Sequence, residues 1–314
     1  MRIYYASDLH GSEKLWRKLI NAASFYEVDV LVVGGDLTGK VLVPVIERKP
    51  GRWVARVFGK EQKAKGGAEV EDLERRIRLN GFYPIRCSPE EFELLGSDES
   101  HRDRIFRQAM CRELERWLGL AHDKLAGSRV KCLVMPGNDD EWDIDDVLET
   151  ASDPIVSCGE RVVSLDGYQV LSSAWANPTR WDSPREVPEK ELAEKLDELA
   201  AHLSPEVPTI FNLHCPPYDS GLDLAPELTD DLEVVREGGE ARMVPVGSTA
   251  VRDLIERHRP VLSLHGHIHE SRSTAEIAGT LCVNPGSAYG EGVLDGVVVE
   301  LEGNRVVSHQ LVSG

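Results

Sequence analysis

Residues 28–36 read VDVLVVGGD, a near-continuous apolar run that ends in two glycines and an aspartate. Such a run is typical of a strand that is buried on both faces of a sheet. Apolar runs that end in polar residues occur four more times, at 3–10, 130–139, 208–214 and 261–267. In open α/β sheets, ligands bind where the carboxyl ends of strands meet the loops. The five runs therefore predict an α/β fold whose strand ends converge on one site.

Helical periodicity lies between these strands. Residues 12–26 place their apolar side chains on one face, and Ser12 is the predicted N-cap. Further helices are predicted near 188–202 and over 247–258. The segment 216–246 is polar and rich in proline and glycine, which indicates a loop.

A long segment, residues 40–127, interrupts this alternation of strands and helices. It begins with a predicted β-hairpin at 41–58, and we interpret the lysine- and glycine-rich stretch at 59–67 as a flexible link. A long amphipathic helix is predicted from 101 to 126. The prediction is thus a catalytic domain made of residues 1–39 and 128–314, with an inserted hairpin-plus-helical subdomain at 40–127.

The chain of 314 residues has a formal net charge of −18 that is unevenly spread. Residues 40–127 contain 18 of the 36 Lys and Arg but only 15 of the 54 Asp and Glu, a net charge of +3. The rest of the chain therefore carries −21. Such a negative field disfavours indiscriminate binding to nucleic acid.

The sequence contains no run of eighteen apolar residues, so no membrane span is expected. The apolar stretch at the N-terminus is too short for a signal peptide, which predicts a cytoplasmic protein. The six cysteines include no Cys-x-x-Cys pair, and we expect them to be free thiols.

Seven side chains at the predicted strand ends are of types that bind metal ions: Asp8, His10, Asp36, Asn138, His214, His267 and His269. Each alone would be weak evidence, because a histidine at a strand end usually has a structural role. Their joint occurrence at successive strand ends predicts a shared metal site. Carboxylate, imidazole and amide ligands suit Mn, Fe, Zn, Ni or Co better than Ca or Mg. The absence of thiolates from the pattern argues against a structural zinc site.

The order of these motifs resembles that of the calcineurin-like metallophosphoesterase family. The motifs are Asp8-x-His10, Gly35-Asp36, Gly137-Asn138-Asp139-Asp140, His214 and Gly266-His267-x-His269. The resemblance covers residues 1–39 and 128–290 and leaves out the insertion. It implies two mixed β-sheets that pack face to face and are flanked by helices.

The resemblance also implies a centre with two divalent metal ions. Two sets of four side chains would hold them: Asp8, His10, Asp36 and His269 for the first ion, and Asp36, Asn138, His214 and His267 for the second. Asp36 would bridge the pair. The implied reaction is hydrolysis of a phosphoester by in-line attack of a hydroxide that bridges the two metals. Asp36, Asn138 and Asp139 are the expected catalytic residues, and Asn138 and Asp139 are the expected substrate contacts.

The chain departs from the family at Asp139, where the family has a histidine that helps to position the phosphate. An aspartate at this position repels phosphate, unless it is protonated, turned away, or bound to an arginine or a metal. We therefore favour a small phosphodiester, with nucleotides among the candidates, or another substrate with an easier leaving group, over a monoester. Asp140 stands where the family has an acidic residue that orients this histidine, and a structural loop contact is an equally good interpretation here. His265 is interpreted as an ordinary buried histidine, and residues 284–287 are expected to shape the pocket.

Two other functions are compatible with the sequence. A catalytically weak or inactive protein of this fold would act as a protein-binding scaffold, although such a scaffold has no need to keep every metal-ligand position. A nuclease would use the basic insertion, in which Trp53 and Phe58 could stack on bases. For these two aromatic residues, packing on the core is the favoured interpretation.

Overall fold

The computed structural model describes all 314 residues, and two six-stranded sheets that pack face to face form its centre. The strands are β1 (Arg2–Ala6), β2 (Val30–Val33), β3 (Val41–Lys49), β4 (Arg52–Val57), β5 (Lys60–Lys65), β6 (Phe82–Cys87), β7 (Lys131–Val134), β8 (Ile155–Ser157), β9 (Arg161–Leu165), β10 (Tyr168–Ser173), β11 (Thr209–Leu213), β12 (Leu224–Pro226), β13 (Arg236–Glu237), β14 (Glu240–Ala241), β15 (Met243–Pro245), β16 (Leu262–Leu264), β17 (Ser273–Ile277), β18 (Thr280–Asn284), β19 (Asp295–Glu302) and β20 (Arg305–Ser313). The helices are α1 (Glu13–Phe25), α2 (Gly66–Leu79), α3 (Pro89–Ser97), α4 (Glu99–Leu125), α5 (Asp143–Glu149), α6 (Glu189–Ala200) and α7 (Thr249–His258), and a 3₁₀ turn spans Tyr289–Glu291.

Both central sheets are mixed. The first sheet has the order β20-β19-β1-β2-β7-β8, in which β1, β2, β7 and β8 are parallel and β19 and β20 are antiparallel neighbours. The second sheet has the order β17-β18-β16-β11-β10-β9, with four parallel strands between antiparallel edges. The carboxyl ends of the parallel strands therefore meet at one edge of the sandwich.

The alternation of side chains along each central strand explains why the apolar runs are nearly continuous. Ile3 and Tyr5 face the second sheet and pack in the core between the sheets, together with Val170 and Ile210. Tyr4, between them in β1, faces the opposite side and belongs to the core beneath the helices. Both faces of such a strand are buried, so both sets of positions must be apolar.

Helices cover the outer face of each sheet. Helices α1, α4 and α5 pack on the first sheet, and helices α6 and α7 pack on the second. Ser12 caps α1 as expected, because its hydroxyl accepts a hydrogen bond from the Leu15 amide at 3.4 Å. The predicted fold class, an α/β sandwich of two mixed sheets flanked by helices, is confirmed.

The insertion contains a four-stranded sheet of its own, in the order β5-β4-β3-β6, with α2 packed against it. The predicted hairpin is present as β3 and β4. The prediction of a flexible link at 59–67 is wrong, because Lys60–Lys65 pair with β4 as a third strand. Phe58 and Gly59 both have positive φ and form the tight turn between these strands. A phenylalanine in that position gave no turn signal.

Helix α4 belongs to the insertion by sequence but packs on the first central sheet. Its buried residues Met110, Leu114 and Trp117 lie in the same apolar core as α1. The Trp16 and Trp117 rings stack at 5.2 Å, and the Trp16 indole donates a hydrogen bond to the Trp117 carbonyl at 2.8 Å. The division into a catalytic domain and an inserted subdomain at 40–127 stays a prediction, and α4 is the element through which the insertion packs on the main sheet.

We expect Trp117→Ala to lower the free energy of unfolding of the whole chain by about 3–5 kcal/mol. The substitution leaves a cavity beneath the first central sheet, where Trp117 is only 3% exposed. Urea unfolding followed by far-UV circular dichroism would measure this. A loss confined to a separate early transition would instead mean that residues 40–127 unfold as an independent unit.

The segment 216–246, predicted as a loop, contains two short ribbons, β12 with β15 and β13 with β14. These strands have two or three residues each, too few for any periodicity to be visible in the sequence. Not one helix of the chain combines the length and the apolar character needed to cross a membrane.

Candidate metal centre

The candidate ligands lie in the loops that follow five parallel strands. Asp8 and His10 follow β1, and Asp36 follows β2. Asn138 follows β7, and His214 comes directly after β11. The pair His267 and His269 follows β16. Since these strand ends meet at one edge of the sandwich, residues up to 261 positions apart are brought together.

The backbone at this edge is held in an uncommon conformation. Four of the candidate ligands lie in the left-handed region, with the φ angles given in brackets: Asp8 (58°), His10 (43°), Asp36 (49°) and His267 (66°). Residues other than glycine adopt this region uncommonly and at an energetic cost, and aspartate and histidine do so more often than most. The loops therefore turn sharply enough to aim their side chains back over the strand ends.

Two glycines permit the loops to approach each other. A Cβ atom on Gly137 would lie 2.1 Å from the Asp36 Oδ1 atom, and one on Gly266 would lie 2.4 Å from the Asp8 Oδ2 atom. Any side chain at either position would displace a candidate ligand. The Gly-Asn and Gly-His motifs thus have a steric reason.

The first group of side chains surrounds Asp8. The His269 Nε2 atom is 3.4 Å from Asp8 Oδ1 and 3.1 Å from His10 Nε2. The His10 Nε2 atom is 3.7 Å from Asp36 Oδ2. These four side chains are the set that the family resemblance assigned to the first ion.

The second group surrounds His214, which is fully buried. Its Nε2 atom is 2.9 Å from Asn138 Oδ1, 3.5 Å from Asp36 Oδ1 and 3.9 Å from Asp8 Oδ1. The His267 ring lies 5.3 Å from the His214 ring, and the His267 amide donates to both oxygens of Asp8. His267 is absent from the three groups of ligand atoms that lie within 4.8 Å of one another, so it is at the margin of the cluster.

The two central carboxylates are buried without a lysine or arginine beside them. Asp8 is 1% exposed and Asp36 is 4% exposed, and their charged neighbours are histidines. Burial would raise the pKa of Asp36, but the positive charges of His214 and His10 outweigh it and hold the pKa well below its usual range. A carboxylate buried in this way requires positive charge nearby in order to carry its own charge.

The pKa values of the two buried histidines shift in opposite directions. Burial lowers the pKa of His214, but Asp36 and Asp8 outweigh it and raise the pKa to about 9. Burial and repulsion from His214 lower the pKa of His267 to about 4. A proton on His214 thus partly compensates the buried negative charge. A divalent cation would compensate it more fully and would displace that proton, so this donor set fits a metal ion.

Asp139 contacts both the start of the insertion and the loop between β10 and α6. Its Oδ1 atom is 3.2 Å from the Lys40 ammonium and accepts a hydrogen bond from the Ser183 hydroxyl at 3.3 Å. Its backbone amide donates to Asp36 Oδ1 at 3.0 Å, and its carboxylate also groups with His10. Burial and repulsion from Asp36 raise the pKa of Asp139. The charge partner of Asp139 is a lysine from the start of the insertion, which sequence reasoning had not identified.

Two further residues hold the loops in place. Asp140 is fully buried and accepts hydrogen bonds from the amides of Leu37, Thr38 and Gly137 at 2.8–2.9 Å, which makes it a structural loop contact. His265 lies with Nδ1 3.0 Å from the carbonyl oxygens on either side of His214. It is a buried histidine, as predicted, and it fixes the position of the His214 backbone.

Asn284 supports the loop that carries the last two histidines. Its amide donates to the carbonyls of Ile268 at 2.9 Å and Gly266 at 3.3 Å. The Tyr289 ring, five positions further on, lies 4.5 Å from the His10 ring and 5.6 Å from the His269 ring. Tyr289 is 40% exposed and lies at the solvent-facing rim of the candidate metal centre. A lone tyrosine in a glycine-rich segment gave no signal in the sequence.

The loop between β10 and α6 lies beside Asn138 and Asp139, and no sequence pattern indicated its place in the site. Its Arg185 is 1% exposed, and its guanidinium donates to the Asp140 carbonyl and to Asp145. The same guanidinium lies 4.3 Å over the Trp142 ring. This buried cation ties the loop to the chain segment that follows Asn138.

Trp53 and Phe58, which were expected to pack on the core and which a nuclease could instead stack on bases, differ in exposure. Trp53 packs against the apolar core of the insertion and lies beneath the Arg86 guanidinium at 5.7 Å. Phe58 is 69% exposed and contacts Phe82 at 5.2 Å between ring centroids. Of the two residues, only Phe58 presents its ring to solvent.

A cavity of about 650 Å³ lies away from these residues, where the second sheet has the amino ends of its parallel strands. Thr209, Val261 and His309 are among the residues that line it. None of the candidate ligands contributes to this cavity.

Comparison with known proteins supports the fold. No family model matches the sequence. The uncharacterized protein MJ1162 of Methanocaldococcus jannaschii is 28% identical over 159 residues, which are 50% of this chain and 64% of that protein. The match thus spans less than two thirds of the length of this curated relative.

Among solved structures, the protein TT1561 of Thermus thermophilus aligns with a TM-score of 0.54 at 15% identity, covering 100% of this chain and 97% of that one. This similarity concerns the fold. A structure described as a novel archaeal phosphodiesterase also aligns over 100% of this chain and 99% of its own, at 11% identity. Its TM-score of 0.33 carries no argument about function. The chain thus has an α/β sandwich fold that TT1561 shares, with acidic and histidine groups that could hold metal ions.

Proposed function

We propose that this protein is a phosphoesterase that depends on a pair of divalent metal ions. The observation that carries the proposal is the position of Asp36. Its Oδ2 atom faces His10 at 3.7 Å, whereas its Oδ1 atom faces His214 at 3.5 Å. The two oxygens of one carboxylate thus point into two neighbouring groups of ligands, which is the arrangement expected of a bridging ligand.

Two sets of residues would hold the ions. They are Asp8, His10, Asp36 and His269 for the first, and Asp36, Asn138, His214 and His267 for the second. When bound, a metal pair of this kind neutralises phosphoryl oxygens and lowers the pKa of a metal-bound water toward neutrality. Manganese, iron, zinc, nickel and cobalt all suit these nitrogen and oxygen donors.

The residues of the chain have separate roles in this proposal. Asp8 and Asp36 supply the negative charge that attracts cations into a buried place. Tyr289 covers the His10 and His269 rings on one side and restricts the approach of water there. Lys40, with its ammonium beside Asp139, supplies a positive charge at the rim that would contact a phosphoryl oxygen.

The substrate class follows from Asp139. A carboxylate beside the cluster repels a phosphomonoester dianion more strongly than a phosphodiester monoanion, because the repulsion scales with the charge of the substrate. We therefore propose a small phosphodiester as the substrate, and nucleotides belong to this class. The preference for diesters depends on Asp139 alone, whereas phosphoester hydrolysis as such depends on the metal ligands.

The direct test is hydrolysis of bis(4-nitrophenyl) phosphate. Removal of metal with a chelator is expected to lower the rate by at least about 100-fold, and added Mn²⁺ should restore it while Ca²⁺ should not. Elemental analysis of the restored protein would give the number of bound ions. A protein that binds these metals but hydrolyses neither diesters nor monoesters would instead be the binding scaffold, and a rate unaffected by chelation would contradict the proposal.

A further inference from the structure

The amide of Asn138 has a different partner on each side. Its Oδ1 atom is 2.9 Å from His214 Nε2, whereas its Nδ2 atom donates a hydrogen bond to Glu186 Oε1 at 3.1 Å. Asn138 is only 3% exposed, so water has little access to either end of the amide. The orientation of this amide is therefore fixed by its two protein partners.

The chemistry of the two partners allows only one orientation. An ionised carboxylate accepts hydrogen bonds and donates none, so the NH₂ group of Asn138 must face Glu186. The carbonyl oxygen must then face the cluster of His214 and Asp36. If the amide rotated by half a turn, its NH₂ group would point at the place of a cation, and two acceptor oxygens would face each other at Glu186.

Glu186 is itself held in place. The backbone amide of Thr179 donates to Glu186 Oε2 at 2.7 Å, and the Thr179 hydroxyl donates to Oε1 at 2.7 Å. The backbone amide of the preceding Arg185 donates to the backbone carbonyl of Asn138 at 3.1 Å, which fixes the distance between the two loops. The guanidinium of Arg185 is buried and cannot move away from this place without loss of its partners.

We propose that Glu186 is a positioning residue that turns the Asn138 amide so that its oxygen is available to a divalent cation. This inference rests on the proposed function, because it takes a cation to be the partner of that oxygen. Groups that orient metal ligands typically change metal affinity by about 10–100-fold when they are removed. Glu186 acts through Asn138 and has no contact with the substrate in this proposal.

The test uses the full-length protein and Mn²⁺ alone, with affinity measured by isothermal titration calorimetry after removal of bound metal. Glu186→Gln is expected to weaken Mn²⁺ binding by about 10–100-fold, because a glutamine amide lets Asn138 rotate. Glu191→Gln on α6 is the matched control and should leave the affinity unchanged, since its side chain is 52% exposed. Thermal unfolding of each variant would verify that it is folded.

A reversed pair distinguishes positioning from a general structural role. In an Asn138→Asp background the carboxylate at position 138 needs a donor, so Glu186→Gln should there improve Mn²⁺ binding or leave it unchanged. The loss of Mn²⁺ affinity caused by Glu186→Gln would thus disappear, or become a gain, in the Asn138→Asp background. A purely structural role would give the same loss in both.

Three results would overturn the inference. The first is an Mn²⁺ affinity of the Glu186→Gln variant within about twofold of the wild type, which is below the range expected for a ligand-orienting group. The second is an equal loss of affinity in both backgrounds. The third is the absence of Mn²⁺ binding by the wild-type protein. Only the last would also remove the proposed function.

Discussion

Asp36→Asn is expected to lower the hydrolysis of bis(4-nitrophenyl) phosphate by at least about 1,000-fold, which corresponds to about 4 kcal/mol of transition-state stabilisation. The reason is the geometry of Asp36, whose two oxygens face His10 and His214 separately. Asparagine keeps one oxygen, replaces the other by an NH₂ group and removes a buried negative charge. Either group of ligands would then be incomplete.

Steady-state kinetics with saturating Mn²⁺ would measure this loss, and elemental analysis would show whether fewer ions remain bound. Asp123→Asn is a suitable control, because the Asp123 side chain on α4 is 88% exposed and Asp123 is not one of the candidate ligands. Circular dichroism would establish that Asp36→Asn is folded. A folded Asp36→Asn variant with wild-type activity would mean that hydrolysis takes place elsewhere.

Asp139→His is expected to shift the preference of the enzyme toward phosphomonoesters. The ratio of kcat/KM for 4-nitrophenyl phosphate to that for bis(4-nitrophenyl) phosphate should rise on the order of tenfold or more. A unit charge about 6 Å away at an effective dielectric constant of about 20 contributes up to about 3 kcal/mol. Solvent, salt and the Lys40 ammonium beside Asp139 reduce this figure. Removal of the carboxylate relieves its repulsion of the dianion more than that of the monoanion.

Asp139→Asn separates the two parts of this effect. It removes the charge while it retains the size of the side chain and a contact with Ser183, whereas Asp139→His also supplies an imidazole that can donate a proton. A similar rise in both variants would assign the effect to charge, and a rise only with histidine would assign it to proton donation. An unchanged ratio in both variants would contradict the role that we give to Asp139.

The types of ligand and the order of their strands were readable from the sequence because both depend on local pattern. A strand buried on both faces needs a continuous apolar run, and this run ends where the chain leaves the sheet and enters a polar loop. Gly35, Gly137 and Gly266 marked the turns where two loops approach closely. For this reason the candidate ligands could be named before their distances were known.

The orientation of those ligands was decided by tertiary structure. The contacts of Lys40 with Asp139 and of Glu186 with Asn138 join residues 99 and 48 positions apart. They depend on how loops from different strands cross, and such contacts leave no periodicity in a sequence. The same holds for α4, whose apolar face predicted a helix but could not indicate which sheet the helix would cover. Local sequence pattern specifies which groups are available for chemistry. The packing of distant segments specifies which way each group points, because a side chain is held by its neighbours in space.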